Sequence, residues 1–70
     1  MTYTPHQLLD MGIQRVRKAD PSLTSMLLAT MDYSGGRCAA VVMSADRASV
    51  FVRAEGDFPL AAMKRLAGLA

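Results

Sequence analysis

The pair Gly35-Gly36 stands between two apolar segments of comparable length, Thr24–Tyr33 and Arg37–Met43. Glycine enters left-handed backbone conformations without steric penalty, so Ser34-Gly35-Gly36 marks a tight reversal. Matched apolar arms on either side of it predict an antiparallel hairpin. Residues 22–33 taken alone also admit a helix, with Asp20 as cap, Pro21 in the first position and Leu23, Met26, Leu27 and Met31 as a stripe. The hairpin favours the strand. A third strand is expected over Ala48–Ala54, joined through the polar turn Ser44-Ala45-Asp46-Arg47.

Helices flank this core. Thr4-Pro5-His6-Gln7 carries a capping residue, a proline suited to the first helical position and a glutamine three residues after the cap. Leu9, Ile13 and Val16 then recur at helical spacing, with Leu8, Gly12 and Ala19 beside them, and Pro21 disfavours helix in the residue before it. The first helix is therefore expected over residues 5–19. Gly12 weakens it by roughly 1 kcal/mol relative to alanine, a loss that close packing of another element there would offset. Gly56-Asp57-Phe58-Pro59 ends the third strand and starts a last helix lined by Leu60, Met63, Leu66 and Ala67, with Lys64 and Arg65 toward solvent. The expected fold is one compact α+β domain over residues 1–70, α-β-β-β-α, with a three-stranded antiparallel sheet.

Alternation along the strands makes both sheet faces substantially apolar. One face reads Leu27, Ala29, Met31 and Tyr33, then Cys38, Ala40 and Val42, then Val50, Val52 and Ala54; the other reads Met26, Leu28 and Thr30, then Ala39, Val41 and Met43, then Ser49, Phe51 and Arg53. Two short helices cover one such face, so the second is expected to meet something else, unless one helix packs on each.

Composition narrows the function classes. A chain of 70 residues with 51% hydrophobic residues folds, yet it buries only about 60% of its unfolded surface, which argues against a deep substrate cleft of several hundred Å³. A net charge of +2 is too mild to demand a polyanionic partner. The single cysteine, Cys38, excludes an internal disulfide and a paired-cysteine zinc site, and fits a reducing, cytoplasmic setting. No signal peptide is expected from the first residues, and the longest apolar run, Cys38–Met43, is far below the ~20 residues a membrane helix needs.

No catalytic, cofactor-binding or metal-binding residue is assigned. His6 has no second histidine or cysteine at ligand spacing, and Cys38 reads as a small hydrophobe entering the core, although Arg37 beside it would lower its pKa at a solvent-facing position. The carboxylates are scattered over turns and helix ends. Six methionines suit either an irregular core or an adaptable binding surface.

The expectation is a non-enzymatic protein that binds a protein or nucleoprotein partner and dimerises through a sheet face. In format it is similar to small phage or mobile-element inhibitors of host machinery, such as anti-CRISPR proteins. Asp32, Asp46, Glu55 and Asp57 are candidates to meet a basic surface of the target, and Arg15, Arg17 and Lys18 an acidic one. The alternative is a small RNA- or DNA-binding module using Arg15, Arg17, Lys18, Lys64 and Arg65. The element order resembles the layout of the double-stranded-RNA-binding domain, and Gly56–Leu69 resembles its last helix. In that family a lysine cluster opens this helix, whereas here the positions read Asp57-Phe58-Pro59-Leu60, with no cation before Lys64.

Overall fold

The computed structural model describes residues 2–69. Helix α1 spans Pro5–Ala19, followed by strands β1 (Leu27–Asp32), β2 (Cys38–Ser44) and β3 (Val50–Gly56) and helix α2 (Pro59–Ala67). The sheet is antiparallel in the order β1-β2-β3. This is the expected α+β architecture, and residues 22–33 contribute a strand rather than a second long helix.

Local chemistry accounts for the boundaries. The Gln7 amide donates to Thr4 Oγ1 at 3.1 Å and the Thr4 amide to Gln7 Oε1 at 2.9 Å, so the reciprocal cap forms and fixes the start of α1. The helix stops before Pro21, and Arg17 and Lys18 lie in its last turn, where positive charge favours the helix dipole. Gly35 and Gly36 hold φ of 71° and 73°, the left-handed region that lets Ser34–Gly36 reverse the chain in a single 3-10 turn. Helix α2 begins at Pro59 and closes at Gly68, where the Gly68 and Leu69 amides donate to the Arg65 and Lys64 carbonyls.

Both helices pack on one face of the sheet. Leu8 from α1 and Ala62, Met63, Leu66 and Ala67 from α2 form the buried core with Leu27, Ala40 and Val42, and Ala29, Met31 and Ala54 pack against it. These strand residues alternate, as one side of a pleated sheet must. Two glycines allow the layers to approach. A Cβ on Gly12 would lie 2.6 Å from Leu66 Cδ2 and Cγ, and one on Gly56 would lie 2.5 Å from the Ala62 amide nitrogen. Gly56 is thus the last residue of β3, passing beneath α2, and does not interrupt the strand two residues earlier. Leu60 points away from the core and Ala62 takes the inward position, because the inward stripe of this short helix starts one residue further around.

A further departure from simple alternation lies in β3. Val42 pairs with Val52 but Met43 pairs with Val50, leaving Phe51 as the extra residue of a β-bulge. The bulge moves Val50 to the face of Met43, opposite the helices, while Phe51 turns toward the helical side with Val52. This reverses the sides expected for Val50 and Phe51.

Candidate binding surface on the uncovered sheet face

The face away from the helices carries Leu28, Thr30 and Asp32 from β1, Ala39, Val41 and Met43 from β2, and Val50, Arg53 and Glu55 from β3, in cross-strand register. Val41 and Ala39 are buried in the middle of the sheet although they lie outside the helix-covered core. Leu28, Thr30, Asp32 and Met43 are half-buried, whereas Val50 is 59% exposed and Met26, just ahead of β1 on the same side, is 75% exposed. The Ala45 amide donates to the Met26 carbonyl at 3.2 Å and holds that residue beside the β2–β3 turn.

The face divides into two halves. Near the β2–β3 turn it is apolar, with Met26, Leu28, Met43 and Val50. Toward the β1–β2 turn it carries a belt of charge. Arg53 pairs with Asp32, one of its nitrogens lies 4.0 Å from Glu55, and Arg37 Nε lies 3.2 Å from Glu55. The Ser34 amide, the Arg53 guanidinium and the Ser34 hydroxyl all donate to Asp32 and lower its pKa from 3.8 to about 2. The belt therefore holds two carboxylates and two guanidinium groups, with no net charge. A hollow of about 300 Å³ joins the halves, floored by Val41 and flanked by Arg47 and Arg53.

The helical side is organised differently. Arg15 donates to the Leu66 carbonyl at 2.8 Å and the Arg65 carbonyl at 3.3 Å, tying α1 to the last turn of α2. Arg17 donates to the carbonyls of Leu23 and Ser25, both at 3.2 Å, and Arg65 to that of Glu55 at 3.0 Å. These arginines thus hold the chain together while keeping their charge. A groove of about 400 Å³ lies between α1, Leu66 and the pair Phe51 and Val52. This groove, like the hollow on the open face, is broadly open to solvent and is not a deep cleft.

The structure places the candidate residues unequally. Asp32 and Glu55 are brought together through Arg53 on the open face. Asp46 sits in the β2–β3 turn, where the Ser44 hydroxyl and the Ala48 amide donate to it and lower its pKa. Asp57 is exposed between β3 and α2. Arg15 meets the turn of α2 that carries Lys64 and Arg65, whereas Arg17 turns toward the loop before β1 and Lys18 is exposed on α1. His6 is exposed and Cys38 half-buried, and no cluster of metal-ligating side chains occurs among the described residues.

Sequence reasoning did not single out Leu28, Met43, Val50, Arg37, Arg47 or Arg53 as site residues. The signal for Leu28 and Met43 was their alternation onto the second face; Val50 was hidden by the bulge. No helix among the described residues is long and apolar enough to cross a membrane. No family model, curated protein or solved structure matches the chain.

Proposed function

We propose that this chain is a non-enzymatic binding protein whose working surface is the uncovered sheet face, on which a protein partner docks. The observation that carries the reading is the position of both helices on one side, which leaves Met26, Leu28, Met43 and Val50 without a covering element. Met26 and Val50 are exposed and Leu28 and Met43 half-buried between them, and apolar side chains grouped beside a polar rim are what a protein interface presents. The finer reading is a small cytoplasmic inhibitor of the kind phages or mobile elements direct at host machinery such as CRISPR complexes. Small size and the want of an evident catalytic constellation support it.

The test is affinity capture from a nuclease-treated lysate with the wild-type chain, Val50→Glu and Lys18→Glu. Val50 is exposed, so its replacement leaves the fold intact by circular dichroism. The proposal expects a defined protein to be retained by wild type and Lys18→Glu and lost with Val50→Glu. Equal retention by all three overturns it.

The second reading, a nucleic-acid-binding module, is favoured by one observation, the convergence of Arg15 on the α2 turn that holds Lys64 and Arg65. It predicts capture that disappears with nuclease and binding that falls steeply with salt.

A further inference from the structure

We infer that β1, the unprotected edge of the sheet, pairs antiparallel with β1 of a second copy of this chain, about a twofold axis that passes through Ala29 perpendicular to the sheet. The inference concerns the edge of the sheet and stands apart from what docks on its open face.

The two edges are built differently. On β3 the bulge at Val50–Phe51 disrupts one end, and the Arg65 guanidinium occupies the Glu55 carbonyl at the other, two devices that discourage strand addition. On β1 neither device is present. Leu27–Asp32 runs in unbroken register with β2 and contains no proline or lysine.

The ladder fixes which backbone groups face outward. The Ala45 amide donates to the Met26 carbonyl, so Met26 and every second residue after it, Leu28 and Thr30, turn their amide and carbonyl toward β2. Leu27, Ala29 and Met31 turn theirs away. Among the described residues no turn or loop backbone bonds to these outward groups, and the elements packed on β1 are β2 and α1.

Symmetry selects a second copy. The three outward positions are centred on Ala29, so the twofold axis sets Ala29 against Ala29 and Leu27 against Met31 of the other copy, and every outward amide and carbonyl of both strands finds a partner. Leu28 then lies opposite Thr30 on the open face, while the Leu27–Met31 pairs lie on the helical side. No ionised side chain stands between Leu27 and Met31, so no like charges meet along the seam; each Asp32, kept by its own Arg53, comes opposite Met26 of the other copy. An axis perpendicular to the sheet keeps the helices of both copies on one side. The two three-stranded sheets become one of six strands, with both open faces side by side on the other side.

The experiment has two arms on the full chain. Sedimentation equilibrium over a wide concentration range is expected to show a monomer–dimer equilibrium, weakened about tenfold or more by Ala29→Pro. That proline removes an amide that faces away from β2 and leaves the ladder within the sheet intact, so the circular dichroism spectrum should be unchanged. Amide hydrogen exchange of the wild-type chain is the second arm. Leu27, Ala29 and Met31 should exchange slowly in concentrated protein and faster on dilution, whereas Leu28 and Thr30, bonded to β2, stay slow in both. A monomer at every concentration overturns the inference, as does a dimer in which the Leu27, Ala29 and Met31 amides exchange no more slowly than in the monomer. Neither result touches the reading of the open face, which falls only when Val50→Glu retains the captured partner protein.

Discussion

Replacing Gly12 with alanine sets two effects of known size against each other. In an unobstructed helix interior the change stabilises by about 0.8–1.0 kcal/mol, because alanine loses less backbone entropy than glycine. Here the new methyl would lie 2.6 Å from two carbons of Leu66, about 1 Å inside the ~3.5–4.0 Å optimum for carbon–carbon contact. Leu66 is 2% exposed and packed among Leu8, Val42 and Met63, so it has little room to yield. Inserting a methyl into a filled core costs about 1–3 kcal/mol, and the net expectation is a loss of up to about 2 kcal/mol. For a domain of this size each kcal/mol lowers the melting temperature by roughly 4–8 °C. Thermal melts of wild type, Gly12→Ala, Leu66→Ala and the double variant form a complete cycle. Leu66→Ala alone costs about 2–5 kcal/mol, and in the double variant the methyl added on α1 should recover part of that, because the vacated space lets the helix propensity of alanine count. A higher melting temperature for Gly12→Ala alone would refute the close helix–helix contact from which the argument starts.

Other expectations follow from the two-sided sheet and its charged belt. Val42 is fully buried beneath the helices and Val41 is 3% exposed on the opposite face, so Asp at either position should strongly destabilise the fold, with Val42→Asp abolishing the cooperative melt and Val41→Asp, beside Arg53, lowering it less. Asp32 should titrate near 2 by carboxyl-carbon NMR, below the ordinary 3.8. The folded pKa is depressed, so this carboxylate's contribution to stability is complete above the unfolded value and is lost as pH falls through the folded one. Asp32→Asn should therefore flatten the acid side of the stability profile between those two values, and Arg53→Gln should raise the Asp32 midpoint only in part, because the Ser34 amide is the larger cause.

The legible part of the fold was written in local signals. Thr4, Pro5 and Gln7 define the start of α1, Pro21 its end and Gly35-Gly36 the hairpin, and each acts through its own backbone chemistry. The same alternation that placed Leu28 and Met43 on the second face gave the apolar excess there. What stayed hidden depends on pairing between distant segments. A single extra residue at Phe51 exchanges the sides of Val50 and its neighbour, and no residue type in the run Ser49-Val50-Phe51-Val52 announces a bulge. The salt-bridged belt is another case. Arg53 and Asp32 are 21 residues apart and meet only through the register of three strands. The methionines divide along the same line: Met11, Met31 and Met63 pack on the helix side, whereas Met26 and Met43 belong to the open face.

The most direct test of the open face as the working surface is its coverage, read by methyl NMR with a freely diffusing paramagnetic chelate. In the free protein the Val50 methyls should relax at least as strongly as those of Leu60 on the helical side, and the half-buried Leu28 and Met43 measurably but less. In protein bound to the captured partner, those three should lose the enhancement while Leu60 keeps it. Persistent relaxation at Leu28, Met43 and Val50, with protection appearing at Leu60 and Leu69 instead, would contradict the account.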